Sequence, residues 1–188
     1  IEGKSLRNIG GWMARILYAL LLIVICIAVP SAQLVQYQDI IVYGGGFAGC
    51  AAARAAALVA PAFKVLLIVP EPVGQLGGLG TVGGQNFTDI RHWKGNIVTE
   101  GSFGRWFREN GQFYNVDAFA ETIARDLALL PNLEVIYSYD IKELQVKDQQ
   151  IQQLIIQAVE RGQDGEVTWQ GDSKGLAAKV FIDASDDG

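Results

Sequence analysis

The run Gly44-Gly45-Gly46-Phe47-Ala48-Gly49 limits what this chain can fold into more than any other feature. It satisfies the spacing G-x-G-x-x-G and lies between the β-branched segment Asp39-Ile40-Ile41-Val42-Tyr43 and a stretch rich in alanine. That context predicts strand, tight turn and helix, and it turns a weak pattern into an informative one. Each glycine has its own reason. Gly44 permits the sharp turn, Gly46 lets a pyrophosphate approach the backbone, and Gly49 lets the helix lie close to the sheet. The N–H groups at the helix start, Phe47 and Ala48 among them, then face the phosphates with the help of the helix dipole.

A second apolar run, Phe63 to Val69, lacks alternation, as expected for a parallel strand covered on both faces. Pro61 stops the intervening helix, so residues 39–69 form a βαβ unit with a right-handed crossover. A ribose carboxylate is expected near the end of that second strand, where Val69 stands, with Glu71 two residues on. Either the loop brings Glu71 to the ribose, or backbone and water hold it.

From Pro70 to Gly111 the chain is glycine-rich, with one short helical candidate at Phe103 to Glu109. Asn115 or Asp117 then caps a helix marked by Phe119, Ile123, Leu127 and Leu130 and ended by Pro131. Leu133 to Tyr137 is a third strand candidate. The runs Ile141–Val146, Ile151–Val159 and Val167–Trp169 read as an antiparallel meander, with Gly162 to Gly165 as one of its turns. A last, continuously apolar run, Val180 to Ala184, is expected as a separate strand.

At 188 residues the chain has room for about one domain, and its two cysteines and single histidine supply neither a disulfide framework nor a clustered zinc site. The formal charge of -5 leaves no basic footprint for nucleic acid. Half of the residues are hydrophobic, and the mean hydropathy of +0.22 directs attention to the N-terminus. There Arg15 precedes an apolar run, Ile16 to Val29, that is shorter than the ~20 residues of a spanning helix. With the ending Val29-Pro30-Ser31-Ala32 this makes a secretory signal at residues 13–32, cleaved after Ala32; the alternative is an uncleaved anchor. Cys26 lacks the small residue just before it that a lipid-attachment signal needs. Residues 1–12 read as translated sequence upstream of a start at Met13, and residues 33–188 as the first part of a domain that is incomplete at its C-terminus. The expected location is the periplasm or the cell exterior, with membrane contact only through the signal or anchor.

The glycine turn, the alanine helix, the loop Gln75-Leu76-Gly77-Gly78-Leu79-Gly80-Thr81-Val82-Gly83-Gly84-Gln85-Asn86, the meander and the closing Phe181-Ile182-Asp183-Ala184-Ser185-Asp186-Asp187-Gly188 together resemble FAD-dependent oxidoreductases of the glutathione-reductase-type flavoprotein fold. Among these the chain is most similar to the family with an LGG loop and an IDATGDGD-like ending. The resemblance covers residues 39–188 and implies an α/β fold: a Rossmann-like parallel sheet for FAD or NAD(P), with an antiparallel meander as crossover. It implies FAD as cofactor and a small-molecule substrate met in a further domain. It places cofactor contacts on Gly44, Gly46, Gly49, Gly77, Gly78, Ala184, Ser185, Asp187 and Gly188. Ser185 stands where the family often has Thr, and Asp186 where it often has Gly.

Other residues are excluded or given lesser roles. No cysteine pair follows the second strand, so the dithiol subclass of this fold is out. His92, between Arg91 and Trp93, does not match a flavin attachment motif and reads as a surface or packing residue. Arg91, Arg105 and Arg108 could meet a carboxylate substrate but read more simply as solvated charges, and the sequon Asn86-Phe87-Thr88 reads as a chance match. No catalytic residue can be named. Two other readings stand beside the flavoenzyme: a nicotinamide-dependent reductase, against which the meander and the closing motif argue, and a membrane-anchored nucleotide-binding module without catalysis.

Overall fold

The computed structural model describes residues 35–90, 92–162 and 165–185. The signal or anchor segment, Arg91, Gln163, Asp164, Asp186, Asp187 and Gly188 lie outside the described residues. Strand β1 (Val35–Tyr43) leads through the glycine turn into helix α1 (Phe47–Val59), and β2 (Val65–Val69) returns parallel to β1 with Val42 opposite Leu67. The βαβ unit is as the sequence predicts, except that β1 starts earlier and β2 two residues later. Asn132 explains the later start: its amide nitrogen donates to the carbonyls of Ala57, Ala60 and Phe63, which keeps Phe63 in the turn leading into β2.

The glycine-rich segment contains a 3-10 turn at Gly78–Gly80, a short ribbon of β3 (His92–Trp93) and β4 (Asn96–Ile97), and α2 (Gly101–Asn110). Helix α3 (Val116–Ala128) is capped by Asn115, whose side chain accepts the Ala118 N–H at 2.9 Å. Strand β5 (Leu133–Tyr137) has the predicted bounds and pairs parallel with β2.

The meander consists of β6 (Tyr139–Lys147), β7 (Gln150–Arg161) and β8 (Val167–Asp183). Here the structure corrects the sequence reading, because Val167–Trp169 and Val180–Asp183 belong to one 17-residue strand, with Ala184 just beyond its end. The polar stretch Gln170-Gly171-Asp172-Ser173 between them looks like a turn but is a bulged strand. Gly171 takes φ +62°, and opposite it Gln157 sits in a register shift of β7 and donates its amide to the Gly171 carbonyl at 2.8 Å. Through Leu176 β8 pairs antiparallel with β7, and from Gly175 onward it pairs parallel with β1. A single strand thereby joins meander and parallel sheet into one sheet, ordered β5-β2-β1-β8-β7-β6.

Alternation along β1 and β2 explains the layering. Val42, Val65, Leu67 and Val69 face Cys50, Ala53 and Ala57 of α1 and Phe119, Ile123 and Leu127 of α3. Ile41, Leu66 and Ile68 point the other way, onto Leu154, Ile156 and Leu176 of the meander. All five residues of β2 are buried because both faces are covered. Among the described residues no helix is long and apolar enough to cross a membrane.

Candidate functional site

The carboxyl ends of the parallel strands open into a cleft of about 390 Å³ lined by Tyr43, Gly44, Gly45, Gly46, Pro70, Glu71, Gly78, Arg161, Ala184 and Ser185. Such an end of an open α/β sheet is where the fold leaves room for a ligand. The glycine turn is built by contact on several sides. Gly44 has φ +115°, and a side chain there would put Cβ 2.4 Å from the Ala184 carbonyl oxygen. At Gly49 a Cβ would fall 1.9 Å from the Gly44 carbonyl oxygen, so the close approach that glycine permits is of helix to turn. The Gly44 N–H donates to the Ile68 carbonyl, and the Ala184 N–H donates to the Tyr43 carbonyl.

Helix α1 begins at this turn with no side-chain cap and no acidic residue in its first turn. Its positive end therefore meets the cleft without a capping side chain or an acidic residue of its own first turn. Gly77, itself at φ +109°, donates its N–H to the Gly45 carbonyl at 2.8 Å, which joins the second glycine loop to the first. Beyond this seam a second hollow of about 350 Å³ is lined by Gly46, Phe47, Ala48, Gly77, Leu79, Gly80, Gln85, Thr88, Phe103 and Tyr114. The two hollows share Gly46, which directly precedes α1.

All the described candidates thus come together. Gly44, Gly46, Glu71, Gly78, Ala184 and Ser185 line the first hollow, Phe47, Ala48 and Gly77 line the second, and Gly49 supports the turn from below. Asp187 and Gly188 lie outside the described residues. Glu71 is held by its backbone, whose carbonyl accepts the Ser138 N–H, while Oε2 of its side chain is buried with no hydrogen-bond partner. A buried acceptor without a donor is costly unless something else supplies one.

Several residues here escape sequence reading. The Tyr43 hydroxyl donates to Asp140 Oδ1 at 2.5 Å, and Arg161 pairs with Asp140 Oδ2 at 3.0 Å. Burial, reinforced by Asp140, pushes the Tyr43 phenol well above its ordinary pKa, so it remains a proton donor. Tyr114 places its hydroxyl 2.7 Å from the Gly80 carbonyl and 3.0 Å from that of Gln85, which ties down the second glycine loop. Asp183 accepts both the N–H and the hydroxyl of Ser185, which holds its carboxyl below the usual range. Only this last pair has a local signal, the i, i+2 spacing of an Asx turn.

The remaining residues with possible chemistry are accounted for. His92 is exposed on the β3–β4 ribbon. Arg105 pairs with Asp126 and Arg108 with Glu100. Among the described residues no group of three or more His, Cys, Asp or Glu is arranged to hold a metal. Cys50 is fully buried on α1 with its thiol on the Gly45 carbonyl, and burial pushes its pKa up to about 12. It should therefore resist iodoacetamide at pH 8 in the folded protein and react once urea is added. Rapid alkylation of native Cys50, read by peptide mass, would contradict this geometry.

Comparison with known proteins identifies the family. The family model for FAD dependent oxidoreductases matches residues 39–188. No curated protein gives a significant match. Among solved structures, quinol fumarate reductase from E. coli is similar at TM-score 0.54 and 12% identity, covering 81% of this chain and 33% of that one. Sdh1 of Mycobacterium smegmatis is similar at TM-score 0.52 and 13% identity, covering 79% of this chain and 34% of that one. The GidA-related protein from Thermus thermophilus gives TM-score 0.49 and 13% identity, with 79% of this chain and 52% of that one covered. The present chain thus spans between 33% and 52% of the length of these three structures. At such identities the likeness to the first two structures shows the fold alone, and the family match carries the assignment: the chain belongs to the FAD-dependent oxidoreductase family.

Proposed function

We propose that this chain forms the FAD-anchoring part of an exported oxidoreductase, with the FAD pyrophosphate on the Gly44 to Gly49 turn and the ribose of the adenylate half on Glu71. The observation that carries the reading is the buried, partnerless Glu71 Oε2 in the same cleft as the uncapped start of α1. One feature calls for hydroxyl donors and the other for an anion, and an adenosine diphosphate moiety offers both. Gly45 supports the fit, since a side chain there would approach Glu71 Oε2 to 3.0 Å and close the space beside it. The second hollow, with Phe47, Leu79 and Phe103, suits the more apolar flavin half.

When bound, FAD would supply the two-electron redox chemistry. The chain's own residues bind and orient it: the glycine backbone and the start of α1 take the phosphates, Glu71 accepts from the ribose, and Tyr114 fixes the loop beside the flavin half. The substrate, a small molecule, would be met in a further domain. Export to the periplasm or cell exterior belongs to the same reading, supported by the basic, apolar and small-residue parts of residues 13–32.

The test is a visible absorption spectrum of the purified protein, followed by titration of flavin-free protein with FAD. A flavin spectrum that is released on denaturation supports the reading, and a colourless protein that takes up no FAD removes it. Glu71→Gln should weaken FAD binding about tenfold, the ~1.5 kcal/mol of one hydrogen bond to a charged group. In the ligand-free protein the same change should leave the melting temperature equal or higher, because the charge it removes has no protein partner. A fall in both would make Glu71 a structural residue.

A further inference from the structure

Arg161 is the only cation among the described residues that line the first hollow. It stands at the end of β7, on the meander side, opposite the glycine turn that comes from the parallel sheet. One of its terminal nitrogens donates to Asp140 Oδ2 at 3.0 Å. The other oxygen of Asp140 accepts from the Tyr43 hydroxyl at 2.5 Å and from the Ile141 N–H at 2.7 Å. Asp140 is thus held from two sides, and it holds Arg161 in turn. The guanidinium has five donors in a rigid fork, and its side chain is 38% exposed, so donors remain available to the cleft. Tyr43 directly precedes Gly44, so one chain of contacts links the last residue of β1 to this cation.

The balance of charge gives the arrangement its meaning. Glu71 is the only other charged residue among the described residues that line the hollow, and it would repel a diphosphate. The start of α1 offers only a partial positive charge.

Resting on the FAD-anchoring reading above, we propose that Arg161 is a binding residue for the dinucleotide, meeting a phosphate oxygen of its adenylate half and aimed there by the Tyr43–Asp140 pair. The meander thereby contributes a full positive charge to a phosphate site whose other described elements are glycine backbone and a helix end.

Calorimetric titration of the flavin-free full-length protein with FAD, ADP and adenosine tests this. Arg161→Ala should weaken ADP and FAD roughly tenfold while adenosine changes less than about twofold, and Arg161→Lys should lie between. The double variant Arg161→Ala with Asp140→Asn should stay as weak as Arg161→Ala. Recovery of binding in the double variant would mean that Arg161 only neutralises Asp140 and would overturn the proposal, as would an equal loss of adenosine. The ligand-free melting temperature of Arg161→Ala is the control for folding, and it should stay within about 2 °C of the parent because the side chain is partly exposed. FAD and ADP binding in the parent that Arg161→Ala leaves unchanged overturns this proposal alone. A parent that binds neither overturns the FAD-anchoring reading as well.

Discussion

Gly44→Ala is expected to elute without flavin and to lose about 3 kcal/mol of stability. Two costs combine at this position. The backbone φ of +115° is a conformation that alanine rarely adopts, and the new methyl group would sit 2.4 Å from the Ala184 carbonyl oxygen and 2.7 Å from its carbon. Strain of this kind costs on the order of 1–3 kcal/mol, and overpacking against backbone adds a similar amount. Backbone cannot rotate aside as a flexible side chain can, so the end of β1 must separate from Ala184. That separation breaks the Ala184 N–H bond to the Tyr43 carbonyl and spreads the turn at which the phosphates are proposed to sit. Ala55→Ser, at an exposed position of α1, is the matched control and should behave like the parent. Urea denaturation and the ratio of flavin to protein absorbance measure both effects, and a Gly44→Ala protein that keeps its flavin and its midpoint would refute the argument.

The second large effect is expected far from the cleft. Asp126 of α3 is buried and accepts from Arg54 Nε at 2.6 Å, Trp106 Nε1 at 2.8 Å and Arg105 Nε at 3.1 Å. One carboxylate thus joins α1, α2 and α3 on the helical face of the sheet. Asp126→Ala would leave the largely buried Arg54 charge and the buried Trp106 N–H without this partner, and breaking such a buried set costs about 3–5 kcal/mol. For a chain of this size that corresponds to a fall of roughly 10 °C in melting temperature. Asp126→Asn keeps an acceptor and should lose less than half as much. Arg105→Ala should cost under ~1 kcal/mol, because that side chain is mostly exposed. Equal losses in Asp126→Ala and Arg105→Ala would show that the pairing of Arg54 and Trp106 contributes nothing.

What could be read from the sequence follows the range of the forces involved. The turn at Gly44 to Gly49 and the bounds of Leu133–Tyr137 are set by neighbouring residues and were legible, and the cap was narrowed to Asn115 or Asp117, of which the structure uses Asn115. Glu71 was legible as a candidate from its distance to the glycines, although its partnerless oxygen is a matter of packing. The continuity of β8 was not legible, since Gly171 and the polar residues around it look the same in a turn and in a bulge. The set formed by Tyr43, Asp140 and Arg161 was beyond reach for another reason. Tyr43 and Asp140 are 97 positions apart, and neither has a neighbour that announces the pairing. The same holds for Tyr114, whose partners are 34 and 29 positions away.

The path of β8 has a consequence for the order in which this protein can take shape as its chain emerges. Its final residues lie beside β1, as the ion pair between Asp39 and Lys179, 140 positions apart, shows. β1 and β2 can pair early, because only α1 separates them. The cleft cannot, since one of its walls is Ala184 and Ser185. At roughly 5–20 residues per second, translation leaves the glycine turn without that wall for some seven to thirty seconds. During this time the nascent chain carries the phosphate-binding loop but no complete site, so flavin capture must be a late event. A pause in translation once Ser185 has left the ribosome should favour loading, and a pause before β8 emerges should expose the unpaired edge of β1.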